Sequence, residues 1–168
     1  MTDEIVILEV GCGNKRAHSN SLTLDVRKTS QVDIIADARA LPFKNGSVDY
    51  LFSSHVIEHF SHTEVGDVVG EWVRVLKNEG TIEVRCPDLR ALALLFFIHP
   101  SWENVQNIYG EQDYSANYHM CGFSYARIKE LLSRFGIKKI RRIYDGAYGI
   151  PFIPCDLHVV GVKDGKIN

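Results

Sequence analysis

The chain has 168 residues, 45% of them hydrophobic and 24% charged, with a formal net charge of -2. That length suits a single core-forming domain over 1–168, and so balanced a charge gives no basic field, so no nucleic-acid partner is expected. The opening MTDEIVILEVGCG has no basic stretch leading into a long apolar one, and the longest apolar run, Leu92–Ile98, is too short to span a bilayer; this predicts a cytoplasmic protein with no membrane insertion.

In chain order, Ile5–Val10 is a nearly continuous apolar run closed by Gly-Cys-Gly, which predicts a strand buried on both faces of a parallel sheet. Similar runs at Leu22–Val26, Val32–Ala36, Val48–Ser53, Thr81–Arg85, Lys138–Tyr144 and Leu157–Lys163 bring the sheet to about seven strands. Before the fifth, Val65, Val68, Val69, Trp72, Val73 and Leu76 recur at helical spacing, with Ser61 and Glu64 as a capping box and Gly80 as the expected stop. Two further helices are predicted, over Leu89–Ile98 after Asp88 and over Tyr125–Phe135 between Ser124 and Gly136. The pattern is α/β. Only Asn14–Ser21 and Arg27–Gln31 separate the first three strands, so the usual crossover helices there must be shortened or missing. One sheet face is then thinly covered, and Trp102–Gly122 or a second copy in a homodimer is expected to lie over it. Cysteines 12, 86, 121 and 155 form no C-x-x-C pair, which argues against a zinc knot and predicts reduced, packed thiols.

The chemistry-bearing positions cluster at strand ends. Gly11 and Gly13 let a backbone approach a ligand with no Cβ in the way, Asp25 closes the second strand where a carboxylate can take ribose hydroxyls, and Asp37 closes the third beside an adenine position. Open α/β sheets bind ligands at this edge. A dinucleotide is the natural competitor, but its pyrophosphate needs the amino end of a helix after the glycines, and there is no room for one. S-adenosylmethionine (SAM) carries no phosphate, so a glycine turn without that helix still suits it. The plain alternative is a tight turn with two loop aspartates.

ILEVGCGNK, LTLDV, ADARALPFKNGSVDYLFSSHVIEHF and EWVRVLKNEGTIEVRCPD resemble, in order, the motifs of class I SAM-dependent methyltransferases, in particular their small type-11-like group. The resemblance covers roughly the first half of the chain. It implies a Rossmann-like seven-stranded sheet with the last strand antiparallel, SAM as cofactor and S-adenosylhomocysteine (SAH) as product. By the same resemblance Glu9, Gly11, Cys12 and Gly13 line the methionine part of the cofactor, Asp25 binds its ribose, Asp37 and Ala38 lie beside its adenine, and Ser53 to His55 follow strand four. Lys15 stands where many members have a third glycine, which leaves Lys15 or Arg16 to pair with the methionine carboxylate.

His55-Val56-Ile57-Glu58-His59 also reads as H-x-x-E-H, the string of metalloproteases in which two histidines one helical turn apart bind zinc. A peptidase leaves the glycine turn and both aspartates unexplained, and the methyltransferase resemblance accounts for the same string, so no metal is expected. Between the fifth strand and the last helix, the polar and aromatic stretch Tyr109–Phe123 suits a lid or acceptor-pocket wall over 102–122, with Asp113, Tyr114, Tyr118 and His119 as candidate substrate contacts. His119 and His55 are the candidate bases, since an unperturbed histidine titrates near neutral pH. The absence of a D/N-P-P-Y/F motif removes support for methylation of DNA bases. The expected acceptor is a small molecule, sugar or lipid precursor, and the alternative is a SAM-binding sensor or scaffold without catalysis.

Overall fold

The computed structural model describes residues 4–144, 149–150 and 153–165. Its elements run β1 (Ile7–Val10), β2 (Leu22–Asp25), β3 (Ile34–Ile35), β4 (Val48–Ser54), a 3-10 turn at Ile57–His59, α1 (Val65–Val75), β5 (Leu76–Pro87), α2 (Leu89–Ile98), α3 (Trp102–Tyr109), α4 (Tyr125–Arg134), β6 (Ile137–Ile143), β7 (Gly149–Ile150), β8 (Ile153–Pro154) and β9 (Asp156–Lys163). Seven strands form one sheet in the order β3-β2-β1-β4-β5-β9-β6, and β7 and β8 make a separate hairpin. Strands β1 to β5 are parallel, and β9 runs antiparallel to both of its neighbours. This is the α/β sheet, last strand antiparallel, that the sequence implied.

The strand pattern sorts residues onto two faces. Leu8, Val10, Leu24, Leu51, Ile82, Val84, Leu157 and Val159 pack against Val68, Val69 and Trp72 of α1 and Ile128, Leu131 and Leu132 of α4. The 3.6-residue spacing of those helical positions is what buries one stripe of each helix. Ser124 caps α4 by accepting from the Arg127 N–H, and Gly136, at φ +79, follows its end. At the start of α1 the Glu64 carboxylate accepts from the Ser61 N–H and hydroxyl, one half of the expected capping box. Gly80 is not the helix stop: Leu76 already takes an extended conformation and pairs with Val48, so Gly80 lies inside β5. There a Cβ would fall 2.8 Å from the Lys77 carbonyl.

No helix separates β1 from β2 or β2 from β3. The loop after β1 is instead tied down by the buried Glu9 carboxylate, which accepts from the Ala17 and His18 N–H groups and the Ser21 hydroxyl. The His18 ring then packs edge-on against Tyr50 and Phe52. The thin face carries polar and aromatic groups, with a hydrogen bond from Tyr50 to Glu83 and the His158 Nε2 2.7 Å from Glu83 Oε1. No residue of Trp102–Gly122 lines the cavity on this face. The region after β5 takes another course: α3 packs on α2, and residues 110–122 cross the carboxyl ends of the strands, pinned where the Met120 and Cys121 N–H groups donate to the Glu58 carbonyl. Exposed apolar side chains lie on α2 and α3 instead, at Leu94, Phe97, Ile98 and Trp102. Among the described residues no helix is long and apolar enough to cross a membrane.

Trp72 joins the core to the strand ends, since its fully buried indole donates from Nε1 to the Ala38 carbonyl at 3.0 Å. Trp72→Phe keeps most of the apolar body but orphans that carbonyl, and it is expected to cost about 1–3 kcal/mol in urea unfolding. SAH binding should weaken with it, because Ala38 loses its anchor.

Candidate active site

The first cavity lies over the ends of β1, β2 and β3. It encloses about 420 Å³ and is lined by Gly11, Asp25, Asp37, Ala38, Val56 and Tyr114, among others. Asp25 is buried, and its carboxylate accepts from the Gly13 N–H and the Arg27 N–H, both at 2.8 Å, which fixes the glycine turn to the end of β2. Gly11 sits at φ +74, and a Cβ there would meet Val56 Cγ2 at 2.1 Å, so glycine is required both by the backbone and by the segment after β4. Asp37 is gripped by Arg39 through both guanidinium and backbone, and these hydrogen bonds hold its carboxyl below the usual range. Arg27 stacks on the Tyr114 ring at 4.6 Å and closes the outer wall.

A second cavity of similar size lies beside it, lined by His55, His59, Pro87, Gln106, Asn107, Glu111, Tyr114, Asn117, His119 and Asp156 among others. The two cavities share His55, His59 and Tyr114. His55 stands at φ +55, with Nε2 3.5 Å from Asp156 and Nδ1 3.2 Å from Glu58. Asp156 first and Glu58 second raise its pKa to about 10, so it carries a proton at neutral pH and is not the base proposed for it from sequence. Burial does the opposite to His119, pushing its pKa below 6.5 and leaving a neutral imidazole in the second cavity. A third cavity, of about 510 Å³, opens on the thin face between Glu9, Gly11, Cys12, Lys15, Ser54, Glu83 and Arg85.

Residues 8–84 match the family model described as a methyltransferase domain. That match, over a little under half of the chain, makes this segment similar to a methyltransferase domain. No curated protein matches the sequence. In fold the chain is similar to a SAM-dependent methyltransferase from Methanosarcina mazei, at 12% identity and a TM-score of 0.69 over 99% of this chain and 95% of that one. It is similar also to one from Archaeoglobus fulgidus (13% identity, TM-score 0.65, 95% of this chain and 86% of that one). A Thermotoga maritima protein described as a possible histamine N-methyltransferase is comparable, at 16% identity and a TM-score of 0.65 over 96% of this chain and 83% of that one.

The fold brings Gly11, Asp25, Asp37, Ala38 and His55 onto one cavity, but not every residue expected there. Ser53 is fully buried within β4 and lines none of these three cavities, because alternation along the strand turns it into the core and leaves Ser54 on the thin face. Glu9 and Cys12 line the thin-face cavity, and Gly13 acts through its N–H on Asp25. Lys15 and Arg16 both line the thin-face cavity, Lys15 exposed and Arg16 paired with Asp33 at 2.8 Å. Of the acceptor candidates, Tyr114 and His119 line the second cavity and Asp113 and Tyr118 do not. Asp113 is exposed on the outer turn and bonds Asn117, while Tyr118 points outward between the inward Asn117 and His119 and offers only its carbonyl, to His59 Nδ1. The H-x-x-E-H string forms no helical turn carrying both histidines, since the 3-10 turn begins only at Ile57 after the left-handed His55. Sequence reading missed Arg27, Arg39, Glu58 and Asp156; Glu58 alone had a signal, inside that string.

Gly11→Ala is expected to abolish measurable SAH binding in calorimetry while the chain stays folded by circular dichroism. His55 should titrate by NMR with a midpoint near 10. Its raised folded pKa stabilises the fold below about 6.5, and that stability is lost as pH rises through about 10, which thermal melts across this window will show.

Proposed function

We propose that the protein transfers the methyl group of SAM to a hydroxyl or amine of a small polar acceptor, a sugar or lipid precursor being the type that suits the walls. The observation that carries this reading is the meeting of two cavities at His55, His59 and Tyr114. The residues present fit SAM: Asp25 offers a carboxylate to the ribose hydroxyls, Asp37 and Ala38 flank the adenine, and Gly11 leaves room for the chain to pass toward the thin face. In that direction Lys15 supplies a cation for the methionine carboxylate, with Glu9 and Ser54 on the same wall. When bound, SAM supplies a methyl group already activated by the sulfonium.

The protein then has to position, desolvate and manage one proton. Segment 102–122 serves as the lid, anchored through its N–H groups on Glu58 and closing both cavities with Tyr114. Gln106, Asn107, Glu111 and Asn117 give the acceptor hydrogen-bonding partners in place of water. His119, neutral and half-buried, offers its lone pair to the reacting group.

His119→Ala is expected to lower kcat by about 10²–10⁴ while SAH affinity stays within about twofold, a split that steady-state kinetics and calorimetry will read. For the intact protein, kcat/KM should hold from pH 8 toward 6.5 and fall at lower pH as the imidazole is protonated. Labelled methyl transfer into a metabolite extract tests the reading as a whole. Tight SAH binding with transfer to nothing would favour a SAM sensor instead.

A further inference from the structure

Glu58 is the least explained charge in the molecule. Its side chain is 2% exposed, and the single cation beside it leaves one of its two oxygens without a partner. One charged neighbour, His55, sits 3.2 Å from Oε1, and Oε2 has none. A buried carboxylate left in this state is costly unless a cation or donor completes it. The space facing it holds two imidazoles. His59 and His119 stand 5.1 Å apart at 67°, and one donor atom from each, with one oxygen of Glu58, lie within 4.8 Å of one another.

The His59 ring is held in the manner of a metal ligand. His59 Nδ1 lies 3.0 Å from the Tyr118 carbonyl, which leaves Nε2 with the lone pair. A backbone carbonyl thus fixes the His59 imidazole from behind, and His119 packs edge-on against it. Both rings line the acceptor cavity, while Glu58 is buried beneath them.

We propose that Glu58, His59 and His119 bind one divalent transition-metal cation at the floor of the acceptor cavity, leaving open positions that an oxygen-bearing acceptor, such as a vicinal diol or hydroxy acid, completes. Two imidazoles and a carboxylate with open positions are a ligand set that zinc and other first-row divalent metals accept. Donors around zinc stand roughly 3.4 Å apart at bond lengths near 2.1 Å, so the rings need to close inward by about an ångström. The pair involved is not the His55 and His59 of the H-x-x-E-H string, because His55 is the cationic partner of Asp156 and Glu58.

The proposal rests on the acceptor-cavity reading and deepens it. A cation there lowers the pKa of the acceptor hydroxyl toward neutrality. The hydroxyl proton leaves to solvent, the O–C bond forms as the S–CH3 bond breaks, and the S–C electron pair returns to sulfur, giving methyl ether and neutral SAH. In that arrangement the His119 lone pair is spent on the metal, and the loss of turnover in His119→Ala follows from loss of the cation.

The test uses the full chain, stripped with a chelator and titrated with Zn²⁺, Mn²⁺ and Co²⁺ by calorimetry and elemental analysis, with SAH binding measured in every sample. One equivalent of Zn²⁺ or Mn²⁺ per chain is expected, with Co²⁺ giving the visible bands of histidine ligation. His59→Ala, His119→Ala and Glu58→Gln should each weaken metal binding by more than about tenfold, with SAH affinity unchanged in His119→Ala and Glu58→Gln, and His55→Gln should keep the metal. Normal SAH binding without stoichiometric metal, or with metal retained in both histidine variants, overturns the metal site and leaves the methyltransferase reading standing. Loss of SAH binding in the unmodified chain overturns that reading and the proposal with it.

Discussion

A buried carboxylate, Glu9, receives the Ala17 and His18 N–H groups and the Ser21 hydroxyl, and through them holds the loop that stands where a crossover helix would. Without that anchor residues 11–21 would have no fixed path, because they carry no helix of their own and cross an unhelmeted sheet face. With it, β1 and β2 stay in register, and Gly13 can reach the Asp25 carboxylate at 2.8 Å. The cofactor wall is thus assembled from side-chain acceptors rather than from a helix terminus. That build suits a ligand whose recognition depends on hydroxyls and an adenine edge instead of phosphates.

The same economy decides the other side of the sheet. All of the helical cover, α1 and α4, is spent on one face, where it encloses the apolar core around Trp72. The opposite face is satisfied by polar pairs such as Tyr50 with Glu83 and by aromatic contacts with His18. The chain after β5 is therefore free to run over the strand ends, where two N–H groups fasten it to the Glu58 carbonyl. One residue consequently serves two ends: its backbone fixes residues 110–122, and its buried side chain faces His59 and His119 at the second cavity.

Two histidines in one string illustrate how placement sets chemistry. His55 and His59 are four residues apart, yet the first is held as a cation between Asp156 and Glu58 and the second is turned to the Tyr118 carbonyl. The partner that protonates His55 comes from β9, and the one that meets His59 comes from residues 110–122. Spacing along the chain says nothing of either. Ser53 and Tyr118 show the same effect on a smaller scale, since a single step of alternation turns each away from the site that its neighbours line.

Local patterns alone determined the strand runs, the amphipathic stripes of α1 and α4, the missing crossover helices and the acidic strand ends at Asp25 and Asp37, because these depend on periodicity and on chain length between elements. They could not reveal α3, whose face is amphipathic but short, nor the early end of α1, where pairing of Leu76 with Val48 overrode Gly80 as a stop. Tertiary structure decided which histidine is charged, which is neutral, and which buried carboxylate keeps one oxygen without a partner. Those properties arise from desolvation and from partners such as Asp156, about a hundred residues away from His55, which only the folded sheet brings within 3.5 Å.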